Sequence, residues 1–338
     1  MKKINKEELD RFREEYVRNT SNLINIQAGN FLHIQSYVKD GIGIIPFNNI
    51  FQLPEVKEFK EEISEMPAVV VGCGPSLDNH LGLLYENRDN LLIIAVDAAV
   101  PILYKYNIVP HLIVICDHSE RQAKNFQNYE INEPIVCAAS VVNPMAFQSM
   151  RKADCRILWY NMYGGDYLSQ SMARCARNKG TLLPAVLTSG MAYQIAIWFG
   201  IKKIAFIGND LFYPNIDSGY ASDIDPNKKQ FQFNTKMTKG DLLIFPDLHG
   251  NPVLTHKTFI AFYSWMNIED EKWQWHGIKT YNCSECGILY GDRIIQETFT
   301  NFIKEHTING IGTIAMDILN EKYRLAIGSF DKIIGEVK

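Results

Sequence analysis

From residue 67 onward the chain alternates between short, unbroken apolar runs and longer stretches where apolar and polar positions mix. Ala68–Val71, Leu91–Val96, Leu112–Cys116, Pro134–Ala138, Cys155–Trp159 and Lys203–Ile207 are the apolar runs. Runs of this length with no polar alternation predict strands buried on both faces. Leu77–Glu86, Ala98–Tyr106 and Ser189–Phe199 predict intervening helices; the first carries Leu77, Leu81, Leu83 and Leu84. Thr258–Trp265 and Ile294–Ile303 predict two more, with a short last strand at Ile278–Tyr281 between them. Strands alternating with helices pair in parallel through right-handed crossovers. The expected class is α/β: a Rossmann-like, mostly parallel sheet with helices on both faces, plus helical N- and C-terminal additions.

Three other segments have their own patterns. Residues 1–60 predict a helical N-terminal extension, in which Leu9, Phe12, Tyr16, Leu23 and Ile26 share one face of Glu7–Ile26. Residues 61–305 form the expected catalytic domain. Within it, residues 214–254 are rich in Asp, Asn, Lys and Gly and too long for a plain connection, so they read as a lid-like insertion. Residues 306–338 form a helical tail. Its apolar positions at Ile314, Ile318, Leu319, Ala326 and Ile327 suggest packing on its own domain or on a partner such as a second copy.

The strand at Ala68–Val71 runs into Gly72-Cys73-Gly74-Pro75-Ser76-Leu77-Asp78. Glycines allow a tight turn, and proline suits the first residues of a helix. A strand, a glycine turn and a helix start together aim free amides and a positive helix end at one spot, a seat for phosphate. The third glycine of the dinucleotide fingerprint is replaced by Leu77, and no phosphate-loop NTPase motif is present. Three apolar runs end at an acid: Asp97, Asp117 and, after Gly208-Asn209, Asp210. Ligands in parallel sheets sit at the carboxyl ends of strands, so these acids and the glycine turn are expected to ring one crevice.

Bulk properties exclude some classes. The 338 residues hold either one large α/β domain with additions or two domains, and 46% hydrophobic with 21% charged residues is ordinary for a globular chain. A net charge of −4 argues against a general nucleic-acid surface. The longest apolar run, Leu91–Tyr104, is broken by Asp97 and Pro101 and too short to span a bilayer. The N-terminus lacks the apolar core of a secretion signal, so the expected location is cytoplasmic. Of the seven cysteines, Cys283 and Cys286 form a C-x-x-C without a second ligand pair, and no role is assigned to them.

These segments in this order, together with Ala95-Val96-Asp97-Ala98-Ala99, Ile108–Asp117, Thr188-Ser189-Gly190 and Gly208-Asn209-Asp210-Leu211-Phe212-Tyr213, resemble a known family. It is the domain shared by bacterial motility accessory factor (Maf) proteins and archaeal MptE-like 6-hydroxymethylpterin diphosphokinases, and the resemblance spans roughly residues 30–305. The Maf branch implies transfer of a nonulosonic, sialic-acid-like sugar from a CMP-activated donor to Ser or Thr hydroxyls of flagellin or another acceptor. The G-P-S-L turn and the later Gly208–Tyr213 segment are also similar to those of bacterial sialyltransferases. The MptE branch implies diphosphate transfer from ATP to a pterin alcohol, with magnesium required. In that branch the third strand ends in closely spaced acids; here Asp117 is followed by His118-Ser119-Glu120, a poorer metal cradle. The glycosyltransferase branch is therefore preferred, with the nucleotide-sugar as substrate and no tightly bound cofactor.

The resemblance implies that Gly72, Gly74, Pro75, Ser76 and Leu77 hold the nucleotide phosphate. Asp97 and Asp117 are expected at ribose, base edges or a metal, or else as helix caps. Thr188, Ser189 and Gly190 either add anion contacts or cap their helix. Asn209, Asp210 and Tyr213 are expected to reach the nucleotide, Tyr213 donating to the leaving phosphate. A sugar transfer needs a base with a pKa near neutrality, and His249, which follows Asp210 by 39 residues, is the candidate, with His256 and His118 as rivals. A nucleotide-binding module without catalysis is the third functional class.

Overall fold

The computed structural model describes residues 44–46, 65–139, 141–162, 181–182, 184–214, 221, 242–267 and 277–336. The predicted helix Glu7–Ile26 and much of the 214–254 insertion lie outside the described residues. The strands, in chain order, are β1 (Ile44–Pro46), β2 (Pro67–Val71), β3 (Leu92–Val96), β4 (Leu112–Ile115), β5 (Ile135–Ala139), β6 (Arg156–Met162), β7 (Thr181–Leu182), β8 (Lys203–Ile207), β9 (Leu242–Pro246), β10 (Pro252–His256), β11 (Lys279–Asn282) and β12 (Ile294–Gln296). The α-helices are α1 (Leu77–Glu86), α2 (Val100–Lys105), α3 (Pro144–Lys152), α4 (Thr188–Trp198), α5 (Lys257–Met266), α6 (Phe299–His306) and α7 (Ile311–Glu336).

The main sheet runs β1-β6-β5-β4-β3-β2-β8-β11-β12, with β7 beside β6, and its pairings are parallel. From β2 the chain steps outward through β3, β4, β5 and β6, then returns to the other side of β2 with β8. Strand order therefore reverses between β2 and β8, which places the topological switch point at the tips of these two strands.

The period of two along β2 shows why its sequence has no polar member. Val69 and Val71 face a layer holding Leu77, Leu81 and Leu84 of α1 and Phe299 and Phe302 of α6. Ala68 and Val70 face the opposite layer, with Met191, Ala192 and Ile195 of α4 and Phe262 of α5. Both faces are covered, and each fully buried valine contributes about 1.5–3 kcal/mol.

Three segments depart from the sequence expectation. Ile294–Ile303 is not one helix: Ile294–Gln296 joins the sheet edge beside β11, and α6 begins only at Phe299. The β-branched Ile294-Ile295 pair suits a strand, and Thr298 then caps the helix by accepting from the Asn301 amide. At the end of the lid-like insertion β9 and β10 form an antiparallel hairpin, for which the sequence reading named no strands. Helix α3, unmarked in the sequence reading, starts at Pro144 with the Asn143 side chain accepting from the Met145 amide. Helix α7 packs on its own domain through Ala315, Leu319 and Tyr323, while Ile314 is exposed.

Candidate active site

At the switch point the glycine turn and the loop after β8 touch. The Gly72 amide donates to the Ile207 carbonyl at 2.9 Å, and the Gly74 amide to the Gly208 carbonyl at 2.7 Å. A Cβ on Gly72 would lie 2.4 Å from the Gly208 oxygen, and one on Gly74 would lie 2.7 Å from an Asp210 carboxylate oxygen. Gly208 itself has φ +63°, a conformation side-chain-bearing residues rarely adopt. The glycines are thus explained by backbone meeting backbone.

Asp210 closes this contact. One carboxylate oxygen accepts from the Ser76 amide at 2.8 Å, the other from the Ser76 hydroxyl. Leu77, Asp78 and Asn79 amides bond back to Gly74, Pro75 and Ser76 carbonyls. The donors of the turn are therefore largely spent within the protein, and Ser76 serves Asp210 rather than capping α1. Asp210 is 1% exposed; burial raises its pKa, partly countered by the hydrogen bonds from Ser76 and Cys286. Asn209 is also turned inward, its amide nitrogen on the Ile207 carbonyl at 2.8 Å and its backbone N–H on Ser284 Oγ.

The loop after β11 completes the clasp, and the sequence reading gave it no role. Cys286 bonds to both Ser76 and Asp210. Gly287, at φ +86°, lies so close that a Cβ would sit 2.0 Å from the Asp210 carbonyl oxygen. The Ile288 amide donates to that carbonyl at 3.1 Å. A glycine following a C-x-x-C was the only trace of this contact in the sequence.

Tyr213 bridges to the hairpin beside the clasp, and His249 lies at that hairpin's turn. The Tyr213 amide bonds to the Leu254 carbonyl at 2.8 Å, and its ring packs on Phe259. It is 3% exposed, and burial pushes its hydroxyl up to about 12. Between Asp210 and Tyr213, Leu211 takes φ 58°, strained for a leucine, with its carbonyl accepting from Thr255 Oγ1 at 2.6 Å. His249 is exposed at the β9–β10 turn, where Asp247 accepts from its amide and from that of Asn251. The Leu248 amide reaches the Gly287 carbonyl at 2.9 Å, so this turn is tied to the Asp210 clasp. His256 is occupied as the α5 cap, accepting from the Thr258 amide.

One strand further along, Asp97 and Asp117 lie at the tips of β3 and β4 and are joined through two amides. Asn125 donates to Asp97 at 2.7 Å and to Gln122 Oε1 at 2.7 Å; Gln122 Nε2 donates to Asp117 at 2.8 Å. Asp117 also accepts from the Ser119 amide at 2.8 Å, and His118 Nδ1 stands 3.6 Å from it. Neither acid caps a helix through its side chain. Asn125 and Gln122 escaped the sequence reading because their segment carries no periodic pattern.

Helix α4 begins beside the β4 tip. Thr188 Oγ1 lies 3.4 Å from Cys116 Sγ, whose thiol burial pushes up to about 12. No side chain caps this helix, and among the described residues the Thr188 and Ser189 amides have no hydrogen-bond partner. Gly190 is a packing glycine, since its Cβ would meet Ala185 and Phe262 at 2.6 and 2.8 Å. A separate cleft of about 470 Å³ opens at the amino-terminal edge of the sheet, among Arg88, His111, Arg156 and Asn320. Its guanidinium groups are engaged by Tyr85 and Glu133 carbonyls and by Asn320, and it lies at the other end of β4 from Asp117. Among the described residues no helix is long and apolar enough to cross a membrane, and no three His, Cys, Asp or Glu side chains gather as a metal site.

Comparison with known proteins agrees with this architecture. The Maf glycosyltransferase of Magnetospirillum magneticum AMB-1 has a similar fold, with a TM-score of 0.57 at 13% identity over 88% of this chain. The chain spans 45% of that protein. No curated protein matches in sequence. The family described as 6-hydroxymethylpterin diphosphokinase MptE-like matches residues 46–216, just over half of the chain, and takes in the glycine turn, the two amide-linked acids and the Asn209-Asp210 clasp. The chain belongs to this MptE-like, Maf-related family.

Proposed function

We propose that the protein is a nucleotide-dependent transferase of the Maf type, moving a nonulosonic sugar from a CMP-activated donor to a Ser or Thr hydroxyl of flagellin or another acceptor. The observation that carries this reading is that the Thr188 and Ser189 amides, with no hydrogen-bond partner among the described residues, adjoin an accessible Asp117 at the neighbouring strand tip. The amides and the α4 dipole suit a phosphate, and the carboxylate suits sugar hydroxyls. In this reading the Gly72–Leu77 turn, Asn209 and Asp210 frame the crevice, since their polar groups already serve one another. His249 and His118 are the bases available for the acceptor hydroxyl. His249 sits on the turn tied to the clasp, and His118 lies beside Asp117.

The family description favours a second reading, diphosphate transfer from ATP to a pterin alcohol. The acids present fit magnesium poorly. Asp97 is buried against Asn125, Glu120, the next acid along from Asp117, is exposed, and among the described residues no three His, Cys, Asp or Glu side chains gather as a metal site. No step is therefore assigned to a metal.

Thermal-shift measurements with CMP, CDP, ATP and ADP, each with and without magnesium, separate the readings. Stabilisation by CMP or CDP is expected. Stabilisation by ATP with magnesium alone would move the assignment to diphosphate transfer, and silence to every nucleotide would leave a non-catalytic module.

A further inference from the structure

The amide chain between Asp97 and Asp117 can run in one direction only. Carboxylates accept and never donate while ionised. Asn125 therefore turns its nitrogen to Asp97 and gives its second proton to Gln122 Oε1. Gln122, accepting through oxygen, must turn its nitrogen to Asp117. Flipping either amide would set oxygen against oxygen.

Burial gives the chain an inner and an outer end. Asp97 and Asn125 are 2% and 1% exposed, whereas Gln122 and Asp117 are only half-buried. In nucleotide-binding sheets the acid ending the second strand of the unit takes the ribose. Here that acid is Asp97, and it is walled in. The relay passes the position to Asp117, one strand further along. Asn125 Nδ2 has spent both protons, but Gln122 Nε2 keeps one without an acceptor among the described residues, beside the Asp117 carboxylate. A donor next to an acceptor matches a hydroxyl, which both gives and receives; a ribose presents two in a row.

We propose that Gln122 is a positioning residue that aims Asp117 at the ribose hydroxyls of the bound nucleotide, with Asn125 and Asp97 holding its amide in the productive orientation. This rests on the nucleotide reading above and adds ribose recognition to it.

The test is calorimetric binding of CMP and ATP, each beside its 2′,3′-dideoxy analogue, to the native chain, Gln122→Ala and Gln122→Glu. The native chain is expected to prefer the ribonucleotide about tenfold, the worth of one charge-assisted hydrogen bond. Gln122→Ala should lose that preference while keeping its dideoxynucleotide affinity within about twofold, as befits a half-exposed position. Gln122→Glu, which sets two carboxylates together, should lose it as well. Unliganded melting midpoints identify a variant that has simply unfolded, and Gln122→Ala, which adds no charge, then carries the test. An unchanged ribonucleotide preference in a folded Gln122→Ala overturns the assignment of Gln122. A native chain that binds both analogues equally overturns ribose recognition but leaves nucleotide binding standing. A native chain that binds neither nucleotide overturns both.

Discussion

Replacing Asp210 by Ala should cost the fold about 2–4 kcal/mol, whereas replacing it by Asn should cost under about 1 kcal/mol. Ser76 is 5% exposed, so water cannot readily stand in for the lost acceptor. Its amide and hydroxyl both donate to Asp210, and an orphaned buried donor costs about 1–3 kcal/mol. Losing a buried charge offsets part of this, and the vacated volume adds to it. Asn preserves the geometry: its oxygen accepts from the Ser76 amide, and its nitrogen donates to a Ser76 hydroxyl turned to accept. The two variants also differ in how they relate to pH. Burial, the largest influence, raises the Asp210 pKa in the fold above its ordinary 3.8. The folded chain therefore holds the proton where the unfolded chain has released it. The stability this group gives is complete below 3.8 and is lost as pH rises through the folded value. Asn does not titrate, so the Asn variant should gain on the native chain as pH rises through that window. Urea unfolding of all three proteins, repeated between about pH 4 and 7, measures both effects. An Ala variant as stable as the native chain, or an Asn variant as unstable as Ala, would refute the clasp as described.

Gly287→Ala places a methyl 2.0 Å from the Asp210 carbonyl at φ +86°, so it should lower the melting midpoint more than any exposed glycine change such as Gly250→Ala, whose Cβ meets nothing within 4 Å. His111, lowered to about 4 by burial, accepts from the Ile93 amide and must stay neutral to do so. Because its folded pKa lies below the ordinary 6.5, its contribution of about 3 kcal/mol is present above 6.5 and lost as pH falls through the folded value. His111→Gln should flatten the native acid-unfolding profile over that range. If His249 is the base, His249→Ala abolishes sugar transfer while CMP affinity holds; undiminished transfer passes the role to His118.

The sheet was legible because its strands are covered on both faces, which removes polar residues and leaves unbroken runs such as Val69-Val70-Val71. Helices α1, α2 and α4 were legible from their apolar positions, whereas α3, between β5 and β6, was not. Ile294–Gln296 was not, because three residues at a sheet edge carry too little pattern to separate them from the helix that follows. The glycine turn and Asn209-Asp210 were found from their positions at strand ends. Their mutual hydrogen bonding was not foreseen, because whether a strand-end carboxylate faces a ligand or a neighbouring loop depends on how β2 and β8 pair. The roles of Cys286, Gly287, Gln122 and Asn125 were invisible for a related reason. Each gains its role from a partner distant in sequence or from a short irregular helix, and neither leaves a periodic signal.

The central claim is that a nucleotide lies across the tips of β3 and β4, its phosphate at the start of α4. A crystal structure of the chain with CMP tests it directly. The expected density places phosphate oxygens within hydrogen-bond distance of the Thr188 and Ser189 amides and the ribose against Asp117. CMP seated in the Arg88–Arg156 cleft at the opposite sheet edge, with those two amides left to solvent, would contradict it.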